Sequence, residues 1–227
     1  MKIIIASILS IIFMGCQNTE YKDRLQLNCI SSKMMYNRDS LNTIPNNITD
    51  KDGKPLLSWR VYLLRYGTPE ELHLYKQFHL DEPWNSPHNL KVAQTVPYYY
   101  LDPKGPKCAN VPANKSDTIL MRMDPQKKNY TPYLGVAGTT AAFRPGKPRQ
   151  IDKKDQRAAI MVVEKSDVLW SEPRDIPLEQ AKKGDTLRWY GNETQYLDAC
   201  ETPKLWKKDI ASGKWEGQPK FEYEADE

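Results

Sequence analysis

The sequence predicts an α+β fold: an N-terminal helix followed by a mostly antiparallel sheet with long loops. Apolar residues recur at a ragged helical spacing over residues 25–36, where Leu25, Leu27, Cys29, Ile30, Met34, Met35 and Tyr36 give a face to bury. Short runs rich in β-branched and aromatic residues follow at 96–101, 118–123, 130–137, 160–163 and 186–190. The connections between them are long and rich in turn formers, and 17 prolines with 11 glycines in 227 residues demand many loops.

The first element is an export signal. Lys2 supplies a positive start, and residues 3–14 form an apolar run broken only by Ser7 and Ser10. Its length fits the apolar region of a signal peptide, about 7–15 residues. It falls short of the roughly 20 apolar residues that cross a bilayer. The run ends in Phe13-Met14-Gly15-Cys16, which resembles a bacterial lipobox. That resemblance implies cleavage before Cys16, a diacylglyceryl group on its thiol, and a further acyl chain such as palmitate on its new amino group. Two or more chains anchor stably where one does not. Gln17, in place of Asp, implies by the sorting rule of diderm bacteria an outer-membrane destination. Residues 1–15 are therefore expected as signal peptide, 16–24 as a polar lipidated tether, 25–200 as the folded domain and 201–227 as a charged, partly disordered tail.

Composition narrows the function. A net charge of +4 with both signs spread along the chain offers no clustered basic face, so no nucleic acid partner is expected. A hydrophobic fraction of 39% and a mean hydropathy of −0.72 predict a thin core, packed with the 13 tyrosines and 6 tryptophans. After Cys16 the remaining cysteines are Cys29, Cys108 and Cys200, with no CxxC pair and hence no zinc ribbon. In an oxidising compartment these three permit one disulfide, with all three pairings open.

The elements of the domain follow in order. Residues 42–52 read as loop, closed by an Asp52-Gly53 turn. Asp50-x-Asp52-Gly53 has the middle of a calcium loop but neither its first acid nor its closing Glu, so a turn is expected. Residues 56–66, LLSWRVYLLRY, suit either a strand or a buried helix. Thr68-Pro69-Glu70-Glu71 carries an N-cap, a first-turn proline and acids at the positive helix end, predicting a helix to Phe78. Residues 81–89 form a constrained loop with its second proline at a turn, and 90–94 a short helix. Pro97 places the strand over 96–101 near an edge. Residues 102–117 and 170–177 are proline-spaced loops, and Ile160-Met161-Val162-Val163 suits a buried central strand.

Asp52-Gly53-Lys54-Pro55-Leu56-Leu57-Ser58-Trp59-Arg60-Val61 resembles a signature of a pseudopilin-like domain of unknown function that is expanded in planctomycete bacteria. Leu74-Tyr75-Lys76-Gln77-Phe78-His79-Leu80-Asp81-Glu82-Pro83-Trp84-Asn85-Ser86-Pro87-His88-Asn89 continues it, and residues 130–143 and 159–177 fit later blocks, including Glu164, Trp170 and Pro173. The similarity runs from about residue 25 to about residue 180. It implies a pseudopilin-like head and no established activity. A lipobox replaces the methylation motif and long hydrophobic helix of many members, Lys154–Ala159 replaces an Asp-Gly-Thr-Ser-like stretch, and no histidine follows His88.

His79, Asp81, Glu82 and His88 are the densest set of metal-type ligands, and a metal-dependent hydrolase using His79 and His88 is one reading. The structural reading has Trp84 as an anchor, Pro83 and Pro87 at turns, and Asp81, Glu82 and Asn89 capping backbone groups. Glu164 suits an ion pair with Arg60 or Arg157. Ser58, Ser86 and Ser171 lack the setting of a nucleophile elbow, and no glycine-rich phosphate loop occurs. Tyr98-Tyr99-Tyr100 and Trp189-Tyr190 suit core packing or, in a surface carbohydrate-binding module, stacking on sugars. The leading expectation is a non-catalytic, lipid-anchored envelope protein without cofactor. It would contact an envelope protein or a surface polymer.

Overall fold

A computed structural model describes residues 26–27, 29–30, 32–34, 36–37, 43, 45–102, 120–124, 128–141, 143–144, 157–163, 166–183, 187–193, 204–208 and 215–216. Of these, 157–163, 182–183, 187–193, 204–208 and 215–216 are described as backbone alone. Cys16, Cys108, Glu164 and Cys200 lie outside the described residues.

The described residues among 26–37 are helical (α1). Leu27, Ile30 and Met34 are buried along one stripe, whereas Tyr36, expected on that face, is 64% exposed. Gln26 ties the start of α1 to the core. Its amide donates to the carbonyls of Tyr98 and Leu101, and its oxygen accepts from the Tyr133 hydroxyl at 2.6 Å.

A hairpin of β1 (Ile48–Thr49) and β2 (Pro55–Leu57) follows. Its turn has Gly53 at φ 83°, and the Asp50 carboxylate accepts from the backbone of Asp52 and Lys54. The run over 56–66 is neither one strand nor one helix. Ser58 stays extended and its hydroxyl accepts from Arg60 N, ending β2 and capping α2 (Trp59–Tyr62), which tightens into a 3₁₀ turn over Leu63–Tyr66.

The helix expected after Thr68 is α3 (Pro69–Gln77), with a full capping box between Thr68 and Glu71. The next helix, α4 (Pro87–Val92), begins earlier than the sequence suggested. Ser86 caps it and Pro87 takes the first turn, the same grammar as Thr68-Pro69, so Pro87 starts a helix where a turn was expected. The strand expected over 96–101 is shortened to β3 (Thr95–Pro97), which pairs with β4 (Leu120–Arg122). Tyr98–Tyr100 turn inward in a 3₁₀ turn, and all three are buried.

The main sheet has six strands: β5 (Tyr133–Ala137), β6 (Arg157–Val163), β7 (Ile176–Pro177), β8 (Leu187–Glu193), β9 (Lys204–Lys208) and β10 (Trp215–Glu216). The order is β10-β9-β8-β6-β5-β7, antiparallel throughout except for the parallel pair β5–β7. β6 lies inside the sheet, where its apolar run placed it. β7 and α5 (Leu178–Lys183) emerge from the end of the segment read as loop. The chain after residue 200 contributes β9 and β10 to the sheet, where Leu205, Trp206 and Trp215 bring strand-forming residues into an otherwise charged segment. Mixed helices and small antiparallel sheets make the fold α+β. No helix among the described residues is long and apolar enough to cross a membrane.

Candidate functional site

Among the described residues the most heavily bonded polar side chain is Arg60, fully buried within Ser58-Trp59-Arg60-Val61. A charge in an apolar run must find partners, because an unpaired buried ion is costly. Arg60 Nη1 meets Asp175 Oδ1 at 2.9 Å, with side-chain exposures of 0% and 3%. The guanidinium also donates to four backbone carbonyls: Trp170 at 2.9 Å, Tyr133 at 3.1 Å, Glu172 at 2.8 Å and Arg174 at 3.1 Å. Asp175 in turn accepts from Trp59 Nε1 at 3.1 Å and from Gly135 N at 2.9 Å. The Arg60 carbonyl accepts from the Tyr100 hydroxyl at 3.1 Å. One guanidinium and one carboxylate therefore join α2, β5 and the loop leading into β7. The acid shown paired with Arg60 is Asp175; Glu164, which the sequence offered to Arg60 or Arg157, lies outside the described residues.

Several residues of the 55–59, 78–84 and 170–173 segments pack near this hub. Ser58 N donates to Ser171 O, and Trp84 N donates to Leu56 O at 2.7 Å. Phe78 is buried with its ring edge on Trp170, and Trp170 stacks on Tyr100. Trp84 is half-buried against the core. Pro55 opens β2 and is exposed, while Leu56 is buried. Pro173 O accepts from Asn47 Nδ2, and Asn47 Oδ1 accepts from Trp59 N. Beside the hub lies a cleft of about 140 Å³ whose lining includes Asn46, Thr49, Phe143 and Asp175. Small-molecule sites usually occupy about 300–1,000 Å³, so this cleft suits at most a very small ligand.

The loop between α3 and α4 collects the metal-type residues. Asn89 is buried and holds the loop: its amide donates to the carbonyls of His79, Glu82 and Pro83, and its oxygen accepts from His79 N. Glu82 and Asp81 do not share that capping role as expected. Glu82 bonds His79 Nδ1 at 2.9 Å, and Asp81 is exposed. Hydrogen bonds from Ser86 and His79 hold the Glu82 carboxyl below its ordinary pKa. The His79 and His88 rings stack at 3.5 Å, and His88 Nε2 meets Gln77 O at 2.8 Å. Among the described residues no group of three or more His, Cys, Asp or Glu is placed to hold a metal ion.

The sequence marked Glu71 only as a first-turn acid and gave no sign of Lys33 as its partner. Lys33 and Glu71 form a buried pair at 2.8 Å that ties α1 to α3, and the Lys33 ammonium lies over the Tyr99 ring. Glu71 Oε2 also accepts from Thr68 N, and this carboxylate rests against the Gly67 backbone. Burial pushes the hydroxyls of Tyr99 and Tyr100 well above their ordinary pKa. Tyr98–Tyr100 are thus core residues, closed to sugar stacking. The side chains of Trp189 and Tyr190 lie outside the description. A capping pattern could have flagged Glu71; nothing local marks Lys33 or Asp175.

No family model, no curated protein and no solved structure matches this chain.

Proposed function

We propose that the chain is a non-catalytic, lipid-anchored envelope protein. In this reading a pseudopilin-like head, beginning with the N-terminal helix, is held at a membrane surface by acyl chains on Cys16, at the outer membrane in a diderm cell. It works by contacting another envelope protein or a surface polymer. The observation that carries the reading is the use made of the signature's polar residues: Ser58, Arg60 and Asn89 each bond backbone groups inside the fold. Side chains occupied this way hold a scaffold together, and the head's work then falls to its surface. The apolar run ending in Gly15-Cys16 supports the anchor.

The test is expression of the full chain with native Cys16 and with Cys16→Ala, followed by intact mass and membrane fractionation. The native chain should lose residues 1–15, gain acyl mass and pellet with membranes, while the variant should not. Equal behaviour of the two removes the lipid anchor.

A further inference from the structure

The structure places a second cluster outside the buried hub, where the end of the first signature block meets α3. Tyr62, Tyr66 and Tyr75 are half-buried, and Arg65 among them is exposed. The Arg65 guanidinium lies over two ring faces, 5.1 Å from the Tyr62 centroid and 5.7 Å from that of Tyr75. The Tyr62 and Tyr66 rings are 6.0 Å apart and their hydroxyls meet at 3.4 Å.

Two features make this a binding geometry. A guanidinium braced by two aromatic faces is pre-organised, so it loses less freedom on meeting an anion than a free side chain does. Among the described residues Arg65 has no carboxylate partner and, beyond a hydrogen bond with the Tyr75 hydroxyl, its exposed fork is available. In the hydroxyl pair one O–H donates to the other, so one O–H remains to donate outward. Burial, then the bond to Tyr62, pushes Tyr66 up to about 12, so it keeps its proton at neutral pH.

We propose that Arg65, Tyr62, Tyr66 and Tyr75 form a site for an acidic sugar of a surface polysaccharide. Arg65 takes the uronate carboxylate, and a tyrosine hydroxyl takes a neighbouring ring oxygen. The proposal deepens the reading above, resting on the head as a surface-contacting unit, and names its partner. The size of the patch favours a sugar over a protein. A stable protein interface buries about 800 Å² per partner around an apolar centre. Here the large exposed hydrophobics among the described residues are Tyr36, Leu90 and Tyr130, none of them in this patch, and the outer side of α3 carries Glu70, His73 and Lys76.

The experiment is calorimetric titration of the detergent-purified full chain with an oligogalacturonate, a neutral galactan oligomer and poly-glutamate. The oligogalacturonate should bind and the other two should not. Arg65→Ala should weaken binding at least about tenfold, as loss of a charge-assisted bond does, and Tyr62→Phe should weaken it less, with thermal unfolding unchanged in both. Equal binding of poly-glutamate, unchanged affinity in Arg65→Ala, or no binding of the oligogalacturonate would each overturn the proposal. Membrane pelleting of Arg65→Ala should match the native chain, so a failed anchor and a failed sugar site give different results.

Discussion

Asp175→Asn is the sharpest perturbation of the hub. The native carboxylate is 3% exposed and accepts from Arg60, Trp59 and Gly135. Asparagine keeps one acceptor oxygen in nearly the same shape but removes the charge. It also sets an amide where Oδ2 now meets Trp59 Nε1 at 3.1 Å, putting two donors face to face. Breaking a buried ion pair by removing one partner costs about 3–5 kcal/mol. The retained acceptor puts this variant near the lower end, about 3 kcal/mol. Asp175→Ala also orphans the donors of Trp59 and Gly135, at about 1–3 kcal/mol each where buried. Against a total stability of about 5–15 kcal/mol, the alanine variant should fail to accumulate. Urea unfolding followed by the fluorescence of buried Trp59 and Trp170 reads the effect. With a slope of about 2 kcal/mol per molar, Asp175→Asn should lower the midpoint by about 1.5 M. A midpoint within about 0.3 M of the native chain would refute the assignment of the pair as a principal tie. The double variant Arg60→Met, Asp175→Leu separates the ion pair from the carbonyl bonds. Apolar replacement of a buried pair is often neutral, but here four carbonyls lose their donor. The double variant should therefore stay destabilised, and full recovery would show that those bonds contribute nothing.

Other perturbations read other parts of the fold. Gly67→Ala would set its Cβ 1.5 Å from Glu71 Oε2, displacing the carboxylate from both Lys33 and Thr68, and should cost about 2–4 kcal/mol by denaturant unfolding. Gly53→Ala meets nothing within 4 Å and should cost only the left-handed backbone term, about 1 kcal/mol. Asn89→Ala removes four loop bonds and should cost about 2–3 kcal/mol, while His88→Ala at the stacked surface pair should stay within about 1 kcal/mol; equal losses would count against Asn89 as the loop's holder. Tyr66 has a folded pKa raised from 10.0 to about 12, so its contribution is fully present below pH 10 and is lost as pH rises toward 12. Phenolate absorbance should accordingly show Tyr66 ionising well above an unperturbed tyrosine, and the shift should shrink in Tyr62→Phe, which removes the hydroxyl partner.

Local grammar was the legible part of the fold. Thr68-Pro69-x-Glu71 states its own capping box, Asp52-Gly53 states its turn, and the apolar run over 160–163 states an interior strand. Ser86-Pro87 repeats the first pattern, but the prolines and polar residues around it read as loop, so α4 was set too late. The inward turn of Tyr98–Tyr100 was illegible because three tyrosines favour a strand locally; tertiary burial overrides that preference. The hub was half legible. Arg60 is visible as a charge among apolar residues, but Asp175 lies 115 residues away in a stretch with no periodicity. Lys33 and Glu71, 38 residues apart, are hidden for the same reason. Pairing between distant segments depends on how the sheet and helices dock, which local propensity does not encode.

The separation between hub and surface bears on how any functional residue can be found. Residues 52–60, 78–89 and 170–175 are remote in sequence and adjacent in space. They are tied by Ser58 N to Ser171 O, Trp84 N to Leu56 O, and Arg60 to the carbonyls of Trp170, Glu172 and Arg174. A substitution there removes a bond on which the fold depends, so it changes the amount of folded protein before it can change anything the surface contacts. Loss of any binding activity in an Arg60 or Asn89 variant would report stability alone. Arg65 differs in kind. It sits five residues beyond Arg60, exposed and braced by rings, and among the described residues no backbone carbonyl pairs with it. Loss of contact in Arg65→Ala at unchanged unfolding temperature would be a functional effect, and that contrast between two arginines five residues apart separates scaffold from surface.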